Sequence, residues 1–311
     1  MRVPEISPLF HVGYHKTGTT WMQRRLLVAA AGYAPAFGHE AVHRLVTGPH
    51  PLAFDPAPAR SALADAAAAA PEGAVPVVSS EILSGHPFYG GRESAEFAAR
   101  LAAIAPEARI LLTVRAQIPA IASVYMQYVR RGGRLPAARF FEGAPGIGGF
   151  PGFDPVHFEY HRLVERYRAL FGAERVLVLT QEALAADPAG FAARLAAFSG
   201  ARGETPCPAG DRREGASEPQ AAAAVLRRIN AFARAPAGPD PVLDLGSAAR
   251  LAARAAAAAF RSPPGRALGA LGAGGRPVTA RAAARFSGRF AASNRALAAL
   301  CPGLELPGYE L

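Results

Sequence analysis

Lysine is nearly absent from this sequence. Lysine and arginine together number 34 against 24 acidic residues, for a formal net charge of +10, and Lys16 is the only lysine, so the other 33 are arginine. Cysteine is almost as scarce. Cys207 and Cys301 lie far apart, with no CxxC pair and no histidine at zinc-site spacing; this excludes a disulfide scaffold and leads us to expect two reduced thiols and no metal. Tryptophan occurs once, at Trp21. No apolar run approaches the ~18 residues of a membrane-spanning helix, and MRVPEISPLFHVG at the amino terminus has no apolar stretch of signal-peptide length. The expectation is a soluble, cytoplasmic protein that does not engage a membrane.

Alanine is what the sequence has in excess. Half of its residues are apolar, but alanine forms helices well and buries little area, so the bulky core must come from a few Leu-, Val-, Ile- and Phe-rich runs. A chain of 311 residues suffices for one α/β domain, and a single domain over 1–311 is expected. The Ala, Arg, Gly and Pro bias points to coding composition, with most arginines on solvated helix faces. A nucleic-acid-binding protein would interleave basic residues with aromatics on one face. Here the arginines are scattered through alanine-rich helices, so no nucleic-acid partner is expected.

The readable order is strand, turn, helix, repeated. PLFHVGY (8–14) is a short buried strand, followed by a helical pattern over 19–31. Residues 33–73 read as loops with a short helix over 59–70. AVPVVSSE (74–81), RILLTVR (109–115) and RVLVLTQE (175–182) are further strands. Helices are expected over 93–105, 119–131, 155–171 and 188–198, and GAPGIGGFPGF (143–153) must be loop. The stretch 200–285 is the least readable, with helices expected over 218–234 and 248–261 and a GALGAGGRP loop. A last helix is expected over 284–300. Such alternation implies a three-layer α/β fold, a mostly parallel β-sheet flanked by helices.

The first strand ends in GYHKTGTTW (13–21). A glycine turn leading into a helix start gathers backbone N–H groups around an anion, whatever the nucleotide. The ATP-type loop GxxxxGK[ST] places its lysine after the second glycine. Here the glycine spacing fits, but Thr19 follows Gly18 and the lysine stands two places earlier, at the apex.

That arrangement resembles the 5′-phosphosulfate loop of sulfotransferases that use 3′-phosphoadenosine 5′-phosphosulfate (PAPS), whose pattern is a strand followed by GxxKxGTTW. The resemblance implies the P-loop NTPase-like sulfotransferase fold. It assigns Lys16 to the 5′-phosphate and the bridging oxygen, Thr17, Gly18, Thr19 and Thr20 to the phosphate, and Trp21 to the adenine. His15, beside Lys16, is a further donor to the phosphate or acceptor; core packing is the alternative for Trp21. A second motif agrees. The family carries an arginine at the end of the third readable strand and a serine eight residues on, both on the 3′-phosphate; Arg115 and Ser123 match. The chain departs from the family between them, with AQIP where Asn-Pro or Asp-Pro often follows the arginine. Segments near 161–200 and 290–311 also resemble family members.

The implied reaction is in-line transfer of a sulfuryl group from PAPS to a hydroxyl or amine, releasing adenosine 3′,5′-bisphosphate, without a required metal. The acceptor would be a small molecule or carbohydrate. Catalysis would rest on Lys16 at the leaving oxygen and on a base from the end of the second readable strand, for which VVSSEILSGH offers Glu81, with His15 and His86 as alternatives. The loops at 33–73 and 134–153 and the region 200–285 are expected to build the acceptor pocket. Arg130, Arg131 and Arg134 suit an anionic acceptor or simply a solvated helix end. Arg212, Arg213 and the arginines near 276–289 are candidates to complete the 3′-phosphate site. A P-loop kinase or NTPase is the main rival, predicting a carboxylate for Mg²⁺ at a strand end; a nucleotide-binding member without catalysis is another.

Overall fold

Among the described residues five short runs form strands, all but β2 rich in β-branched or large aliphatic residues: β1 (Leu9–Gly13), β2 (Tyr33–Phe37), β3 (Val75–Ser79), β4 (Arg109–Val114) and β5 (Val176–Thr180). They make one sheet in the order β2-β3-β1-β4-β5, and every pairing is parallel. The structure is a computed structural model that describes residues 7–143, 152–204, 219–232, 246–265 and 276–311. The helices are α1 (Thr19–Arg25), α2 (His39–Val42), α3 (Ala57–Ala69), α4 (Ser94–Ile104), α5 (Gln117–Arg130), α6 (Ala137–Phe141), α7 (Tyr160–Phe171), α8 (Gln181–Ala186), α9 (Pro188–Ser199), α10 (Ala222–Asn230), α11 (Gly246–Arg261), α12 (Pro277–Phe286) and α13 (Ala291–Leu300).

Side chains alternate between the two faces of a strand, and a parallel sheet must bury both. Phe10, Val12, Val78, Ile110, Leu112 and Val178 enter the larger core, where they meet Leu101 of α4, Ile121 of α5, Val164 of α7 and Phe286 of α12. Leu9, Val77, Leu111 and Leu179 enter a smaller one with Met22 of α1, Leu184 of α8 and Phe191 and Leu195 of α9. The fold is thus a three-layer α/β sandwich with two unequal cores. Helix α7 shows why such a sequence folds this way: Tyr160, Leu163, Val164, Tyr167 and Phe171 are its buried positions, a spacing that forms one helical stripe.

Four expectations change. Residues 33–37, read as loop, form the edge strand β2. Pro35 disguises it, and an edge is where a strand tolerates a residue without an N–H; the pairing with β3 shifts register between Pro35 and Phe37. The helix expected over 19–31 stops at Arg25, and a separate 3₁₀ turn over Ala29–Ala31 ends at Gly32, whose φ of 82° closes it. The helix expected over 155–171 begins with a 3₁₀ turn at Pro155–Phe158, where Asp154 Oδ1 accepts the Val156 N–H at 3.0 Å. The last helix is two, α12 and α13, broken at Gly288 with φ of 71°. Pro119 sits third in α5, within the first turn, where its missing N–H costs no helical bond. Residues 269–275 of the GALGAGGRP loop and most of 143–153 lie outside the described residues.

Leu112 is fully buried in the central strand β4. Leu112→Ala is expected to lower unfolding free energy by about 2–5 kcal/mol, read as a shift in urea midpoint at unchanged slope.

Candidate active site

The strand order makes the chain leave β1 toward β3 on one side and return to β4 on the other, opening a crevice beyond the carboxyl ends of β1 and β4. The turn Tyr14–Gly18 occupies it. Tyr14 N–H extends the ladder to Thr113 O at 2.9 Å. Lys16 then adopts a left-handed φ of 70° and Gly18 one of 92°; for a non-glycine residue that conformation is uncommon and clusters at functional sites. The first helical bond of α1 runs from Met22 N–H to Gly18 O at 3.0 Å, so the N–H groups of Thr19, Thr20 and Trp21 have no intrahelical acceptor. Gly13 makes room for this approach. A Cβ there would lie 2.6 Å from Thr19 Oγ1 and 2.9 Å from Thr113 Oγ1.

The threonines divide. Thr17 is buried and donates its hydroxyl to Tyr14 O at 2.7 Å, so what it offers an anion is its N–H rather than the O–H that the sequence suggested. Thr19 is buried and its hydroxyl has no partner, while Thr20 is exposed. Trp21 is half-buried against the smaller core.

Arg115 reaches back to this turn. Its Nη1 donates to Lys16 O at 3.3 Å and to Ser123 Oγ at 3.4 Å, while its buried Nε has no partner. Burial pulls its pKa below the ordinary value; the Glu182 charge opposes that and Arg276 adds to it. Tyr160 O–H holds the Arg115 carbonyl at 2.8 Å. Glu182, at the end of the last strand, accepts the Ala116 N–H at 3.1 Å and the Tyr309 O–H at 3.5 Å. Sequence reading missed Tyr160 and Tyr309, which carry no motif, and noticed Glu182 only as a strand-end carboxylate. Arg276 stands near Arg115; Arg212 and Arg213 lie outside the described residues.

A pocket beside the turn brings the base candidates together. His15, His39, Glu81, His86, Phe88 and Arg131 line it, with Ile82, Pro87 and Gln127. Glu81 opens a 3₁₀ turn directly after β3. His86 Nδ1 accepts the Phe88 N–H at 3.3 Å, which occupies its lone pair and leaves Nε2–H as a donor when the ring is neutral. Burial, then the Arg131 charge, holds the His86 pKa to about 4. His15 lies 6.3 Å from it, ring to ring, and its Nδ1 has no partner. Burial foremost, then the neighbouring His157, His86, Arg131 and Lys16, keep His15 well below the usual imidazole range. His39 and Gln127 were not singled out in the sequence. His39, bonded to Ser80 Oγ at 2.9 Å, is, among the described residues, the one contribution to this pocket from the segments expected to build it. Among the described residues no group of three or more His, Cys, Asp or Glu is placed to hold a metal ion.

The Sulfotransferase family's sequence profile matches residues 8–204. The crystal structure of a sulfotransferase from Alicyclobacillus acidocaldarius is similar to the chain at 24% identity, covering 68% of this chain and 88% of that one, with a TM-score of 0.47. The sulfotransferase domain from the curacin biosynthetic pathway is similar at 14% identity, covering 92% and 99%, with a TM-score of 0.37. No curated protein matches the chain.

Burial holds His11 and His157 to about 3 and His86 to about 4, against 6.5 for an unperturbed imidazole. Over that interval the unfolded chain binds more protons than the folded one. Their contribution is therefore complete above about pH 6.5 and lost as pH falls to about 4 for His86 and about 3 for His11 and His157, by about 1.4 kcal/mol per pH unit for each histidine. Urea unfolding at pH 7.5 and 5.5 is expected to show a clearly lower stability at the acid value; equal stabilities would contradict the buried neutral rings.

Proposed function

The chain belongs to the sulfotransferase family, and from that premise we propose that it transfers a sulfuryl group from PAPS to a hydroxyl or amine of a small-molecule or carbohydrate acceptor. The observation that carries the donor assignment is the meeting of Arg115 and Ser123 with the Tyr14–Gly18 turn. A guanidinium with an unpaired buried Nε, a hydroxyl beside it and a second cation, Arg276, in its field suit a terminal phosphate. ATP carries no phosphate at the ribose 3′ position. The turn, which Arg115 touches through the Lys16 carbonyl, suits the 5′ end of the same molecule.

Bound there, PAPS supplies an activated sulfuryl group on a bisphosphate leaving group. The residues do the rest. The N–H groups from Thr17 to Trp21 and the buried Thr19 hydroxyl receive the 5′-phosphate, and the exposed part of Trp21 is available to the adenine. Lys16 offsets negative charge as it develops on the leaving oxygen, a role that asks for positioning and charge rather than covalent chemistry. His15 completes the turn as a neutral hydrogen-bonding group next to it. Glu81 is the carboxylate among the pocket residues and takes the acceptor's proton. His86 is disfavoured as base because its Nδ1 lone pair is already engaged. The exposed Arg131 at the rim gives the pocket a positive edge.

A P-loop kinase would use Glu182 or Glu81 to hold Mg²⁺ and leaves the Arg115–Ser123 pair without a task. Glu182 instead binds Ala116 N–H and Tyr309 O–H.

Calorimetry separates the readings. The protein is expected to bind adenosine 3′,5′-bisphosphate without metal, and Arg115→Ala to weaken that binding on the order of 30-fold while leaving adenosine 5′-monophosphate within about threefold. A preference for ATP with Mg²⁺ would overturn the proposal. With an acceptor found by mass-shift screening for added SO₃, Lys16→Ala is expected to lower turnover by about 10²–10³; unchanged turnover would remove Lys16 from the chemistry.

A further inference from the structure

His11 lies wholly buried in the middle of β1 and has no part in the roles above. Its ring spans three strands: Nδ1 is 2.8 Å from Ser79 Oγ on β3, and Nε2 is 3.0 Å from Thr113 Oγ1 on β4. Thr113 Oγ1 is in turn 2.8 Å from Thr17 Oγ1, which donates to Tyr14 O. At the other end Gln23 Nε2, from α1, reaches Ser79 O at 2.8 Å and Ser79 Oγ at 3.1 Å.

The direction of this chain is set from the Tyr14 end, because a carbonyl only accepts. Thr17 has one hydroxyl proton and gives it to Tyr14 O, so Thr113 must donate to Thr17. Thr113 then has none left, and His11 must donate to it through Nε2–H. Nδ1 of the neutral ring keeps a lone pair, which takes the Ser79 proton. Ser79 Oγ, finally, accepts from Gln23, whose amide orientation is fixed by Ser79 O. Each hydroxyl and the ring donate once, and the bonds point from α1 through the sheet to the start of the turn. A second proton on His11 would turn Nδ1 into a donor, reverse the Ser79 bond and take this acceptor from the Ser79 proton. The depression of its pKa by burial agrees.

We propose that His11 is a positioning residue that ties the phosphate-binding turn to β3, the strand that delivers Glu81, through the one-way relay Gln23–Ser79–His11–Thr113–Thr17. The role of the turn in donor binding rests on the function proposed above; the relay itself does not. A base two residues beyond Ser79 and a turn anchored by Thr17 are thereby held in one frame by a ring that touches neither ligand. An imidazole with its proton on Nε2 accepts on one side and donates on the other across this gap.

Two measurements test it. Nitrogen-15 NMR of the histidine rings in the wild-type protein is expected to show His11 as the neutral Nε2–H tautomer from pH 8 to 5; an Nδ1–H tautomer, or a midpoint near 6.5, overturns the relay. Thr113→Val keeps the shape and removes the middle donor, and Thr113→Ser restores it. Hydrogen exchange at the Thr17 to Thr20 amides is expected to quicken in Thr113→Val and return in Thr113→Ser. Adenosine 3′,5′-bisphosphate is expected to bind about tenfold or more weakly to the valine variant and within about twofold to the serine variant. Adding His11→Leu to Thr113→Val is expected to cost nothing further in affinity, as for two members of one unit. Exchange and affinity unchanged in Thr113→Val overturn the proposal, and should that variant not fold, the wild-type tautomer decides. A wild-type protein that fails to bind the bisphosphate sinks the donor reading alone, since tautomer and amide exchange still report on the relay.

Discussion

The contact between Arg115 and the carbonyl of Lys16 joins two parts of the chain that are 99 residues apart, the turn after β1 and the end of β4. The carbonyl is available because Lys16 takes a left-handed backbone conformation, and the guanidinium is in place because β4 runs alongside β1 in parallel register. Tyr160 and Glu182 then hold the backbone on either side of Arg115. The sheet order, the strained residue and the cation are thus one arrangement: moving β4 relative to β1 by a single residue would separate them.

Around that contact the protein keeps its neutral and charged groups apart. The chain as a whole is strongly basic, yet the side chains packed closest to the turn are neutral histidines, hydroxyls and amides. His11, His15, His86 and His157 all have their charged forms disfavoured by burial. Cationic charge is left to Lys16, Arg115, Arg131 and Arg276. The anion proposed above would meet a few fixed positive charges, of which the partly buried Arg115 acts more strongly than a charge at the surface.

Much of this was legible in the sequence because the decisive residues are local. GYHKTGTTW carries its own turn geometry, and Arg115 with Ser123 follows a strand that hydrophobic pattern alone identifies. Five of the expected helices appear within a few residues of their bounds. What stayed hidden is non-local or disguised. Strand β2 contains a proline and little branched character, and only its neighbour β3 makes it a strand. His39, Gln127, Tyr160 and Tyr309 are brought to the site by packing, which leaves no spacing to read. His11 was in plain view inside PLFHVGY, but a histidine within an apolar run says nothing of its two partners until the register of β3 and β4 is known. The Thr17 hydroxyl shows the reverse hazard, since a motif fixes a residue's place and not the direction its proton takes.

The lone lysine has a practical side. In an ordinary protein, reagents that acylate or crosslink side-chain amines scatter over the surface, whereas here the single ε-amine of the whole sequence stands half-buried at the apex of the turn. Any such reagent that spares the chain's α-amine becomes directed at one position, and a covalent tag on the side-chain amine of this sequence is by construction a tag on the Tyr14–Gly18 turn.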